Sequence, residues 1–187
     1  MLRNDYLLHW DRALEGGVYE DKYAEYLRLN RTRFNRNYKT FKPSEAFLKA
    51  SQRITFPTHW IIITEPWCGD AAQSVPVLLR LIEQIPSASY SLMLRDQGSL
   101  IDQYLTNGGK GIPKVIVRDE QGIDLLVWGP RTRDAQELFN GLKTAGIELI
   151  VLHESLQGWY AKDQGKSLEL ELLALIQALF LLRCINH

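Results

Sequence analysis

Two cysteines, Cys68 and Cys184, are all that this 187-residue chain contains. That is too few for a secreted domain stapled by disulfides. Histidine is also sparse. His9, His59, His153 and His187 are scattered without metal-ligand spacing, so neither a zinc nor an iron–sulfur site is expected. No phosphate-cradling loop is present: Gly108-Gly109-Lys110-Gly111 lacks the spacing and the following Ser or Thr. Neither charge sign is in excess, because 22 bases balance 22 acids. Without a net field, nucleic acid is not an expected partner, and nor is an acidic membrane. The most apolar stretch near the end, residues 172–182, falls well short of the roughly 20 residues a spanning helix needs. Met1-Leu2-Arg3-Asn4-Asp5-Tyr6 has neither the charged start nor the apolar core of a signal peptide. These absences lead to the expectation of a soluble cytoplasmic protein with no membrane association and no metal.

What is present is an ordinary globular composition, 45% hydrophobic and 24% charged, in a chain long enough to bury a core without disulfides. The pattern predicts a short helix over 5–15, stopped by Gly16-Gly17, and a longer one over 19–37. Ser44 is a suitable N-cap for a third helix, with Glu45 in its first turn. The rhythm then changes. Trp60-Ile61-Ile62-Ile63-Thr64 reads as a strand buried on both faces. A helix follows over 68–85, with Pro76 kinking it. Strands are expected at 90–94 and 114–118, separated by a short helix at 100–105. Residues 123–128 return from the turn Asp119-Glu120-Gln121-Gly122 as a hairpin partner, and a helix over 132–143 closes the series. The order from residue 44 predicts an α/β mixed sheet sandwiched by helices. Three parts follow: a helical extension over 1–43, a central domain over 44–145, and a C-terminal helical extension over 146–187. The last part reads as a polar segment over 158–166 followed by one apolar helix over 167–183.

Trp67-Cys68-Gly69 stands between a buried strand and a helix, Pro76 lies eight residues after Cys68, and Gly111-Ile112-Pro113 precedes the hairpin. Together these features resemble the thioredoxin superfamily over roughly 44–145. Three further pieces widen the likeness: Trp67-Cys68-Gly69-Asp70-Ala71-Ala72-Gln73, Leu94-Arg95-Asp96 and Tyr104-Leu105-Thr106-Asn107-Gly108-Gly109. They are similar to an uncharacterised bacterial group of thioredoxin-like proteins, which supplies no reaction. The resemblance implies a thioredoxin fold, a kink at Pro76 and a cis-proline at Pro113. It also exposes two departures. Ala71 occupies the place of the resolving cysteine, and Ile62 occupies that of the family's buried aspartate, which assists proton transfer to that thiol.

In a Cys-x-x-Cys site the first thiolate attacks and the second resolves. Here Cys68 keeps the attacking position alone. Its place at a helix N-terminus favours the thiolate, while the Asp70 carboxylate opposes a second negative charge. A less acidic thiol than that of a strong oxidant is expected. Glu65, Lys110 and Lys114 are candidates to tune it. A peroxiredoxin would want threonine where Glu65 stands. Pro113 would expose the Ile112 backbone to an extended substrate, with Trp67 as an apolar wall and Gly69 allowing close approach. The alternatives are that Pro113 only shapes the sheet edge and that Trp67 is core.

The leading expectation is thiol–disulfide exchange through a mixed disulfide at Cys68. The substrate-binding residues would be Trp67, Gly69, Asp70, Ile112 and Pro113, and the partners would be protein or small-molecule thiols and disulfides. A low-molecular-weight thiol would serve as co-substrate, and no other cofactor is expected. Release would need that external thiol or, less simply, Cys184, which lies 116 residues away. Ordinary dithiol reductase activity is excluded. The competing expectation is a non-catalytic interaction module that uses the same groove and the apolar C-terminal helix to hold a protein partner. Two features stay open. Residues 26–44 carry six bases and no acid, namely Arg28, Arg31, Arg33, Arg36, Lys39 and Lys42. They form a solvated helix face, an anion or nucleic-acid surface, or a basic rim near Cys68. The C-terminal helix packs back on the core or pairs with a second copy in a homodimer.

Overall fold

The centre of the molecule is the β-branched run that the sequence marks as doubly buried. In the computed structural model, which describes residues 1–185 without the side chains of residues 179 and 181–185, this run is β1 (Thr58–Thr64). β1 lies between β2 (Ala88–Leu94), which is parallel to it, and β3 (Lys114–Arg118), which is antiparallel. β4 (Asp124–Trp128) completes the sheet in the order β2-β1-β3-β4. Ile62 is opposite Leu92 on one side and Val115 on the other, and all three are fully buried. At this position, where the resemblance would place an aspartate, an apolar side chain fills a dry layer.

Among the described residues, seven α-helices surround the sheet: α1 (Arg3–Glu15), α2 (Ala24–Thr40), α3 (Glu45–Ser51), α4 (Gly69–Ile82), α5 (Arg133–Thr144), α6 (Leu149–Asp163) and α7 (Lys166–Ile185). α4 is apolar on nearly every face because it is enclosed by the sheet, α2 and α7. Pro76 sits inside it, where the missing N–H removes one intrahelical bond. Ser44 caps α3, accepting from the Phe47 N–H at 3.2 Å. The N-terminal helices belong to the same core: Tyr6, Trp10 and Phe34 are each 1% exposed and pack edge-on or tilted against one another. One continuous apolar cluster runs from Tyr6 to Ile176.

Three elements differ from the sequence reading. The helix expected over 19–37 is a 3-10 turn at Asp21–Tyr23 followed by α2, which runs on to Thr40. The short helix at 100–105 is a 3-10 turn, Leu100–Gln103. The polar segment over 158–166 is mostly the end of α6, an additional helix. Its buried residues are Leu152, Leu156 and Tyr160, four residues apart. That stripe is narrow enough for the surrounding polar residues to mask it. α6 stops where Gln164 and Gly165 take left-handed conformations, and a Cβ at Gly165 would press on Val77 and Phe41 at 2.9 and 3.1 Å. α7 then packs back on the core through Leu168, Leu172 and Ile176. No helix among the described residues is long and apolar enough to cross a membrane.

Candidate functional site

Cys68 is the N-cap of α4. Its Sγ accepts from the Ala71 N–H at 3.4 Å and donates to the Ile112 carbonyl at 3.4 Å. The thiol therefore bridges the helix start to the loop before β3, where the Ile112–Pro113 peptide is cis. Both Ile112 and Pro113 are buried, and Cys68 is only 9% exposed. Burial pushes the thiol pKa up to about 12, with the Asp70 charge adding to the rise. The N–H groups of Ala71 and Asp70 and the Arg131 charge act in the opposite direction and are outweighed. The helix N-terminus that would favour a thiolate is present, but desolvation wins.

The second layer of the site comes from the C-terminal extension. Asp70 pairs with Arg131 at 2.6 Å and accepts from the Tyr160 hydroxyl of α6 at 2.9 Å. Arg131 also lies over the Phe139 ring at 4.1 Å and donates to Gln136. One turn before Tyr160, Gln157 places its Nε2 3.1 Å from where a Gly69 Cβ would stand. The amide chain continues: Gln73 donates to Gln157 at 2.7 Å, and Asn37 of α2 donates to Gln73 at 2.6 Å. A Cβ at Gly69 would crowd the Gln157 amide, which would have to give by a few tenths of an ångström. α6 covers the start of α4.

Trp67 is half-buried between Tyr23, stacked at 5.3 Å, and the Arg95 guanidinium, 4.7 Å from its ring centre. Both faces of the indole are occupied. Arg95 is fixed in turn by two bonds to Asp96. Glu65 is buried, accepts from the Tyr19 hydroxyl at 2.6 Å, and accepts from the Asp96 N–H at 3.4 Å. Desolvation raises its pKa despite those two bonds. His9 meets the same Tyr19 hydroxyl at 3.0 Å.

The residues expected to tune Cys68 are committed elsewhere. Lys110 pairs with Asp102 at 2.8 Å, and Lys114 donates to Thr106 and to the Gly129 carbonyl. Glu65 belongs to the Tyr19 cluster. The cation acting on the thiol is Arg131, not one of the six bases of 26–44. Of those six, Arg31 pairs with Asp11 and Arg33 donates to Asn30. Cys184 lies outside the described side chains. No group of histidine, cysteine and carboxylate side chains among the described residues could hold a metal ion. The fold brings Cys68 and Asp70 at the start of α4 next to Ile112 and Pro113, residues that the sequence also groups. Sequence reasoning missed Arg131, Gln157 and Tyr160, whose polar groups carry no local signal because their partners lie roughly 60–90 positions away.

A protein of unknown function from Pseudomonas aeruginosa has a similar structure, with a TM-score of 0.57 and 17% identity over 87% of this chain and 88% of that one. An HIV epitope scaffold is similar at a TM-score of 0.57 and 16% identity, covering 92% of this chain and 98% of its own. At such identity the likeness shows the fold alone. No curated protein matches the chain. A thioredoxin family model matches residues 16–145, which takes in β1, the Cys68 turn, α4 and the Pro113 loop, so the chain belongs to the thioredoxin family.

Proposed function

We propose that this thioredoxin-family protein works as a non-catalytic binding module, with Cys68 as a neutral thiol that ties α4 to the Pro113 loop. One observation carries the reading. Cys68 is 9% exposed, hydrogen-bonded at both ends, and has a pKa pushed up to about 12. At neutral pH only about one thiol in 10⁵ is then ionised, and the thiolate is the nucleophile. The absence of a resolver at Ala71 and the apolar Ile62 fit the same reading. A cytoplasmic location goes with it, as the setting in which an unpaired thiol persists.

Monothiol exchange is the second reading, favoured by the place of Sγ at the first N–H groups of a 14-residue helix beside Arg131. In that reaction the Cys68 thiolate attacks a substrate disulfide and its S–S bond breaks. One half leaves as a thiol and the other stays in a mixed disulfide. An external thiol such as glutathione then opens that bond, restoring Cys68 and carrying off the second half as a new disulfide. Trp67, Gly69, Asp70, Ile112 and Pro113 would form the groove. Because Gln157 and Tyr160 lie over Gly69 and Asp70, this chemistry needs α6 displaced. Mixed-disulfide capture with wild type and Cys68→Ser separates the two readings. The binding reading expects the same partners with both proteins and no turnover of a glutathionylated peptide. Partners seen only with wild type, together with turnover, would sink it and establish exchange.

A further inference from the structure

An open cleft of about 800 Å³ lies between the C-terminal end of α2, the middle of α4 and the α6–α7 turn. That volume is in the range of small-molecule sites. Its apolar lining is Phe41, Val77, Leu168 and the ring pair Trp159–Tyr160, which meet edge to face at 5.2 Å. Trp159 is only half-buried, so one ring surface is left for a flat partner. Three exposed cations, Arg36, Lys42 and Lys166, border the cleft, and among the described residues none of them forms an ion pair. The two carboxylates in the lining are already engaged. Asp163 accepts from the N–H groups of Gly165 and Ser167 as it caps α7, and Glu169 accepts from the Ser44 N–H at 2.6 Å. Those acids point their lone pairs at backbone donors, whereas the three cations have no carboxylate partner among the described residues, Arg36 giving only its Nε–H to Asn37 at 3.4 Å.

We propose that this cleft binds a small organic anion with a flat apolar body, such as an aromatic carboxylate or sulfonate. The body lies against Trp159 and Val77, and the anionic group faces Arg36, Lys42 and Lys166. Arg36 and Lys42 come from the basic run that composition alone left as a solvated face or an anion surface. A cleft of small-molecule size and a chain of zero net charge favour a small anion over a nucleic acid. The site does not depend on whether Cys68 reacts.

The test is a fluorescence titration of the native protein with anilinonaphthalene sulfonate, alongside N-phenylnaphthylamine, the same ring system without the charge. One saturable site is expected, with the uncharged probe at least about tenfold weaker. The double variant Lys42→Ala/Lys166→Ala should lose about tenfold in affinity, as should Trp159→Ala. A control pair outside the cleft, Arg133→Ala/Lys143→Ala, should bind as wild type does. The residues altered are exposed or half-exposed, and a thermal midpoint shared with wild type establishes that each variant is folded. Binding without saturation, equal affinity for the two probes, or unchanged affinity in folded cleft variants would overturn the proposal.

Discussion

The Cys68 thiol shows how two local effects of opposite sign are settled by a third. The N-terminus of α4 and the Arg131 charge favour ionisation, and Asp70 opposes it, but burial decides. The consequence for stability has a definite sign. A thiol whose folded pKa is raised keeps its proton in the native state at pH values where the unfolded chain gives it up. Its contribution is therefore fully present below about pH 8.5, the unfolded value, and is lost as pH rises toward about 12. Wild type should lose about 1 kcal/mol more than Cys68→Ser between about pH 8 and about pH 9.5, measured by urea unfolding at both. Parallel curves would show that the buried thiol does not titrate as placed. Asp70 makes the complementary case. Asp70→Asn removes a like charge near the thiol and leaves Arg131 unpaired, so alkylation of Cys68 at fixed pH should accelerate, and stability should fall by on the order of 2 kcal/mol. Slower alkylation in the folded variant would contradict the assigned role of Asp70. Gly129 tests the loop that receives the thiol. Its φ is 110°, and a Cβ there would collide with the Pro113 carbonyl. Gly129→Ala should cost on the order of 3 kcal/mol in urea unfolding, far more than the same change at the unobstructed Gly141.

Elements were legible in the sequence to the degree that their stabilising partners were local. β1 announced itself through Trp60 to Ile63, a run that only a doubly covered strand would bury, and the Cys68 turn followed from the residues on either side of it. α3 was readable from Ser44, a cap bonded three residues on. α6 was not, because half of its reason for being a helix lies elsewhere. Leu149 and Ile150 at its start are 64% and 68% exposed, while Gln157 and Tyr160 are held by Gln73 and Asp70. A helix whose buried stripe is one residue per turn gives little periodic signal, and its polar anchors give none. The same limit applies at the site: Cys68 and Pro113 were found by motif, whereas the cover over them was invisible until the chain was folded. For α7 the sequence left two packings open, and Leu172, fully buried against its own chain, places that part of the helix on the core. Leu172→Ala should therefore destabilise by about 2–5 kcal/mol, with an unfolding midpoint independent of protein concentration. A midpoint that rises with concentration in wild type would instead place α7 in an interface between copies.

At the scale of the whole molecule a sheet and its central helix α4 are wrapped by helices from both ends of the chain: α2 and α7 pack on α4, α1 packs on α2 and β2, and α6 packs on α5. These wrappings are not equal. α1, α2 and α7 contribute large side chains to the continuous apolar core, so removing any of them exposes it. α6 buries Leu152, Leu156 and Tyr160, none of which belongs to that continuous cluster, packs against α5, and is tied to α4 by the polar contacts of Gln157 and Tyr160. With so few buried side chains to offset the entropy of ordering its 15 residues, α6 is held by less than the about 5–15 kcal/mol that global unfolding of a domain costs. Local opening of α6 is then the cheapest route to Cys68. It can be told from global unfolding by the surface each exposes. Alkylation of Cys68 measured in rising urea should show a shallow dependence at low denaturant, with a slope below about half the global m-value. It should then bend up to the global slope near the midpoint. Tyr160→Phe, which removes the bond to Asp70 without altering the ring, should raise the low-urea rate about tenfold and leave the global limb almost unmoved. A single steep dependence in both proteins would mean that α6 is as firmly built into the fold as β1, and that no local motion uncovers the thiol.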